Sequence, residues 1–250
     1  MQSKCAATPE ETLMDLLNRS RRLSVPIRRC FLQLEGSPKR PGPLAAFVRG
    51  RRAVALDLWL LLHAGAAAEP WDVRQPAMSW GRMLAMPETA ATEATISRNW
   101  SWLEKQGLVR TERDRRIRKV YLLMEDGSGR PYARSSGEGR GFFKLPYEYF
   151  TQGWHRKLTL AAKVALLVSL AQAPTFTLPK EHASRWYGIS ADTLQRGIDE
   201  LQSEDLLKAW MRSKKAPRAR FGFTMERHYR LKAPFARTTS ELSDLAEVPW

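Results

Sequence analysis

The side chains in this chain that could do chemistry form a repeat rather than a catalytic cluster. Thr95-Ile96-Ser97-Arg98 lines up with Thr193-Leu194-Gln195-Arg196. Trp100, Leu103, Leu108 and Val109 line up with Ile198, Leu201, Leu206 and Leu207, every pair at the same displacement of 98 residues, Thr95 to Thr193. In each copy the apolar residues recur at helical spacing, Ile96, Trp100 and Leu103 in the first and Leu194, Ile198 and Leu201 in the second. Thr92, Thr95, Ser97 and Arg98 lie towards the other side of the first helix, as Ser190, Thr193, Gln195 and Arg196 do in the second, with Thr92 and Ser190 expected to cap the helices by accepting from a first-turn amide. Hydroxyls, an amide and one arginine per helix can hydrogen-bond base edges in a major groove, which a bulky apolar face could not do. After each helix comes a basic loop between short β-forming runs: Arg113, Arg115, Arg116, Arg118 and Lys119 in the first copy, Lys214, Lys215, Arg218 and Arg220 in the second. A tight antiparallel loop carrying such cations would lie over the phosphates beside a groove.

Catalysis finds little support. His63, His155, His182 and His228 are scattered, with no HxxxH or HExxH spacing for a metal and no His-x-His pair that could hold one beside a nucleophilic tyrosine. Cys5 and Cys30 form neither a disulfide framework nor a CxxC knuckle, which fits a reducing cytoplasm. The glycines between Gly127 and Gly141 do not make a GxxxxGK[ST] phosphate loop. The expectation is a non-enzyme with no catalytic residue, metal or cofactor.

The elements that must position these side chains follow from the pattern. A chain of 250 residues, 43% of them hydrophobic, can give each of two domains a core. The reading is a basic N-terminal arm over 1–28 and a first domain over 29–124. A Gly/Ser-rich linker over 125–140, a second domain over 141–235 and an acidic flexible tail over 236–250 complete it. The first domain opens with an aromatic strand near Cys30-Phe31-Leu32-Gln33-Leu34, followed by a buried helix over Arg49–Ala64. A loop over Ala66–Met78 and a short helix over Trp80–Met86 lead to the Thr92 helix. The second domain repeats the plan with Phe142-Phe143-Lys144-Leu145-Pro146 and a buried helix over Leu158–Gln172, in which Val164, Leu166 and Leu167 match Leu58, Leu60 and Leu61. Neither apolar helix reaches the ~20 residues needed to span a bilayer, and no signal peptide is evident in the first residues. Trp100 and Trp102 fall on opposite sides of one helix, so one of them is expected at an interface.

A formal charge of +15 and a pI near 10.3 call for a polyanionic partner, which nucleic acid, an acidic membrane or an acidic protein would each satisfy. The pattern of helix, turn, strand, charged loop and strand, present twice, resembles bacterial tandem winged helix-turn-helix DNA-binding proteins over most of Phe31–Leu231. Thr-Ile-Ser-Arg with the later Leu-Glu-Lys-Gln-Gly-Leu-Val looks like the recognition helix and following strand of winged-helix transcription regulators. Two such units in one chain look like iteron-binding replication initiators of plasmids or phages. The resemblance implies a mainly α fold with small β wings (α+β), each third helix in a major groove of double-stranded DNA and each wing on the neighbouring backbone. It also implies a cytoplasmic, nucleoid-associated protein, acting as a transcription regulator or as an initiator that remodels rather than cuts origin DNA. Two further readings stay open. One domain could serve protein interaction instead, since Glu93, Asp192 and Asp199 would repel phosphate. A homodimer, or a protein partner docking on Leu242, Leu245, Val248 and Trp250 of the tail, would also suit the pattern.

Overall fold

The structure is a computed structural model that describes residues 6–20, 22–36, 40–115, 117–134 and 141–236. Its architecture is mixed α+β, with small antiparallel sheets set around helices. The acidic tail and part of the Gly-rich stretch, 135–140, lie outside the described residues.

Helix α1 (Pro9–Asn18) starts at a capping box in which Thr8 accepts from the Glu11 amide and Glu11 accepts from the Thr8 amide. Its Leu13, Leu16 and Leu17 are buried. Strand β1 (Ser24–Arg28) follows, with Val25 and Ile27 inside. The segment expected to trail along phosphates as an arm is therefore core, because leucines at i, i+3, i+4 and then an alternating strand provide two apolar faces to bury. The aromatic strand also begins earlier than Cys30. Arg29–Phe31 turns as 3-10 helix, and only Gln33–Leu34 (β2) is extended there, paired with Arg40–Pro41 (β3).

The expected helix over Arg49–Ala64 is two helices, α2 (Leu44–Arg49) and α3 (Ala53–Gly65), broken where Arg51 takes a left-handed φ of +51°. Every residue of α3 from Ala55 onward is buried. Phe31 stacks on Trp59 with ring centroids 4.1 Å apart. The loop expected over Ala66–Met78 contains β4 (Asp72–Gln75), whose Val73 alone points inward, too little alternation to see in sequence. Helices α4 (Ala77–Met83) and α5 (Ala90–Lys105) then meet at a corner where Trp80 packs edge-on to Trp100, 5.1 Å away. Strands β5 (Val109–Asp114) and β6 (Ile117–Leu122) form a hairpin that β4 extends into a three-stranded sheet in the order β4-β6-β5.

Residues 125–134, expected as the flexible start of a linker, fold back on the body. The Glu125 side chain is fully buried and paired with Arg28. Tyr132 packs against Trp71 and His63, and Leu123 bridges to Pro131. Gly127 and Gly129 take left-handed φ of +75° and +74°, and Gly107 also allows a close approach, since a Cβ there would come within 2.6 Å of the Gly127 carbonyl oxygen.

The second half runs β7 (Phe142–Pro146), two single-turn helices α6 (Glu148–Thr151) and α7 (Trp154–Lys157), and then α8 (Leu160–Leu170). Next come α9 (Ala183–Tyr187), closed by Gly188 at φ +65°, α10 (Ala191–Ser203) and the long hairpin β8 (Leu207–Lys215) and β9 (Phe223–Leu231). Helices α8 and α10 cross closely at Gly197, where a Cβ would lie 2.2 Å from the Ala161 carbonyl oxygen.

The halves are joined through equivalent positions. Strand β1 pairs antiparallel with β7, from Ser24 opposite Pro146 to Arg28 opposite Phe142. The residue after each strand reaches the end of the other half's helix: Arg29 donates to the Ala171 carbonyl beyond α8, and the Tyr147 hydroxyl donates to the Ala64 carbonyl of α3. Between the helices the Lys163 ammonium donates to Asp57, 2.6 Å away, with both side chains buried and the Tyr149 hydroxyl donating 2.9 Å to the second oxygen. Asp57 and Lys163 are 106 residues apart, the displacement that aligns α3 with α8. Contacts between like positions are what an approximate two-fold relation of the halves requires. One apolar cluster runs through both, so the two expected domains share a core.

Two expectations follow. Removing one member of the buried pair strands the other, so Asp57→Ala should cost about 3–5 kcal/mol in urea unfolding, and the double change Asp57→Leu with Lys163→Met should restore most of it. His63 is enclosed by Trp59 and Tyr132, and burial, aided by the charges of Arg28 and Arg22, pushes its pKa down to about 3. The unfolded chain takes up that proton near pH 6.5 while the folded chain does not. The contribution is therefore present above pH 6.5 and is lost as pH falls towards 3. Urea midpoints of His63→Phe should fall less steeply than those of the parent between pH 6.5 and 4.

Candidate nucleic-acid interface

Helix α5 begins a turn earlier than Thr92. Thr89 is the cap, its hydroxyl accepting from the Thr92 amide at 3.3 Å. Thr92 itself is buried, its hydroxyl donates 2.6 Å to the Pro87 carbonyl and its methyl fills the space over Gly81. This removes Thr92 from the candidate contact set: it locks the corner between α4 and α5. The next turn keeps its expected outward direction. Arg98 is exposed and donates 3.1 Å to the Thr95 hydroxyl, which in turn donates to the Ala91 carbonyl. Ser97 is half-buried and accepts from Arg118 at 3.0 Å. Trp102 is occupied within the chain, edge-on to Phe47 at 4.9 Å and under the Arg52 guanidinium.

Helix α10 repeats the arrangement with one difference. Ser190 is the cap and accepts from the Thr193 amide at 3.1 Å. Arg196 lies over the Thr193 hydroxyl at 3.4 Å, as Arg98 lies over Thr95. Arg196 also pairs with Asp192, 3.2 Å away, and Gln195 donates to Asp199. Arg98 makes no ion pair among the described residues. The second arginine is engaged by a carboxylate; the first, among the described residues, is not.

The first hairpin turns at Arg115, whose φ is +58°, between Asp114 and Ile117. Arg116 lies outside the described residues. The pleat divides the expected cations between two faces. Arg113 and Arg118 are opposite one another on the face that carries Thr111 and Val120, and that face turns towards α5, as the bond from Arg118 to Ser97 shows. Burial, and Arg113 beside it, lower the pKa of Arg118. Lys119 is on the opposite face, 3.5 Å from Asp72 and 4.8 Å from the centre of the Tyr121 ring. It is held by its own sheet. Arg113 and Arg115 are exposed.

The second hairpin is longer, and Lys214, Lys215, Arg218 and Arg220 are all exposed on it, with only Lys214 touching a carboxylate, Glu226 at 3.3 Å. Sequence reading missed Lys208, Arg212, Arg227 and Arg230 on the same ribbon, which the strand register places beside the tip cations or below them. The alternation of Lys208 and Arg212 with Leu207, Ala209 and Met211 was the available signal. Trp210 and His228 stack across the strands at 5.9 Å, and Arg230 lies over Trp210.

Elsewhere the chemistry is muted. Burial pushes the Cys30 thiol up to about 12, which keeps it protonated and a poor nucleophile. Among the described residues no group of His, Cys, Asp and Glu could hold a metal ion, and no helix is long and apolar enough to cross a membrane. No protein-family model, no curated protein and no solved structure matches the chain.

Proposed function

We propose that this protein binds double-stranded DNA sequence-specifically through two units of winged-helix type, α5 with β5–β6 and α10 with β8–β9, and acts as a transcription regulator in the bacterial cytoplasm. The observation that carries the reading is the duplicated geometry of Thr95 with Arg98 and Thr193 with Arg196. In both, an exposed guanidinium is held over a hydroxyl one turn back, on a helix followed by a cationic hairpin. A guanidinium so oriented can reach two acceptors on a guanine edge, and the hairpin cations supply the sequence-independent attraction.

The acidic residues favour a second reading for the second unit. Asp192 and Asp199 are exposed on α10, so that helix could engage a basic protein surface while α5 reads DNA. Footprinting separates the two: two protected patches per chain indicate double readout, and one patch indicates a mixed role. A replication initiator remains the alternative process. Duplexes selected from a random pool would carry direct copies for an initiator and a short inverted repeat for a regulator. Recovery of no duplex above background, or affinity that ignores salt, would remove the DNA-binding reading altogether.

On such a selected duplex, Arg98→Ala should cost about 1–3 kcal/mol and relax preference at one base position. Arg196→Ala should cost less, because Arg196 trades an existing ion pair for its contact. Replacing Lys215, Arg218 and Arg220 together by alanine should weaken binding to all sequences alike and flatten the plot of log affinity against log salt by up to about 3 units of slope, near 0.9 per phosphate contact.

A further inference from the structure

Phe221 stands at the far end of the β8–β9 hairpin and is 73% exposed, and Phe223, Met225 and Met211 just below it are exposed as well. The register accounts for this. Lys215 opposite Phe223, Ser213 opposite Met225 and Met211 opposite Arg227 share one pleat face with Leu207, Ala209, Tyr229 and Leu231, which pack towards the core. The apolar face of the ribbon thus continues past the body that covers it. Between 207 and 231 the sole carboxylate is Glu226, while Lys215 and Arg227 share the face of the apolar patch, Arg212 and Lys214 line the opposite face and Arg218 and Arg220 stand in the turn. The tip is held by its backbone: the Ala216 amide donates to the Gly222 carbonyl, the Ala219 amide to that of Ala216 and the Gly222 amide to that of Ala219, all within 2.9 Å. Phe221 meets the guanidinium of Arg220, 5.3 Å from its ring centre. Among the described residues the first hairpin has no such feature, and its strands are six residues long against nine.

We propose that Phe221 is a wedge that enters a base step of the bound duplex, with the Met211, Phe223 and Met225 face lying along the groove and the hairpin cations on the flanking phosphates. This rests on the DNA-binding reading and deepens it. Apolar side chains inserted at a step partly unstack it and bend the duplex, a cost that the added phosphate contacts offset. Strands nine residues long reach about 30 Å, against about 20 Å for the first hairpin, so the tip can extend beyond a helix seated in the groove. Charge selects the occupant. A second copy of this chain on the same face would bring two cationic ribbons together, whereas a polyanion neutralises one.

The test uses the full-length chain on duplexes recovered by the selection described above, at saturating protein, with permanganate oxidation reporting unstacked thymines. The flexible steps TA and CA/TG, the ones a wedge favours, contain thymine. The parent protein should create a hyper-reactive thymine. Phe221→Ala should reduce that reactivity about fivefold or more while affinity changes less, Phe221→Trp should retain it, and Arg220→Ala should weaken binding yet leave reactivity at saturation unchanged. Tight binding without any hyper-reactive thymine, or equal reactivity in Phe221→Ala, overturns the wedge and leaves DNA binding intact; no duplex binding at all removes both. Dissociation of a dimer by Phe221→Ala in sedimentation, or loss of binding to acidic phospholipid vesicles, with DNA distortion unchanged, assigns the patch to another partner and equally overturns the proposal.

Discussion

The buried ion pair between Asp57 and Lys163 is the contact on which the arrangement of everything else turns. Two opposite charges 2.6 Å apart, away from water, tolerate little displacement, because each loses its counter-charge if the helices slide. Apolar contact alone would permit several registers between two leucine-rich helices. The pair, its bond to Tyr149 and the β1–β7 ladder select one. Since α5 packs on α3 and α10 packs on α8, fixing α3 against α8 also fixes how Arg98 and Arg196 are presented.

Within that frame the two helix–hairpin units differ. The first helix starts a turn early, its arginine donates to Thr95 and pairs with no carboxylate among the described residues, and its hairpin is tied to it by Arg118 and Ser97. The second keeps its arginine against Asp192 and carries a longer ribbon, cationic and apolar at once. Under the proposed reading, the first unit suits base recognition and the second suits gripping and deforming the duplex.

The outward faces of the two helices were readable from residue pattern, since a helix that buries Leu194, Ile198 and Leu201 must turn Arg196 out. Ser190 as a cap was readable for the same local reason. Thr92 was not: its hydroxyl looked like a cap by alignment with Ser190, but Thr89, three residues earlier, occupies that position and leaves Thr92 to the corner with α4. Caps compete locally, and only packing chooses between two threonines a turn apart. Lys119 looked equal to Arg113 in the string of cations, yet the pleat sends it to the opposite face, beside Asp72 from a strand that carries almost no signal of its own.

Periodicity, acting over a few residues, indicated the buried faces of α5 and α10 and the two hairpins that follow them, but not α1, the break between α2 and α3, or β4. The tertiary structure decided how the halves meet. That Ser24–Arg28 pairs with Phe142–Pro146, that Glu125 is drawn beneath Arg28, and that the N-terminal leucines complete a shared core are contacts between distant parts of the chain, the ion pair alone spanning 97 residues. No local preference encodes such contacts, because their free energy comes from surfaces that exist only once both partners have folded.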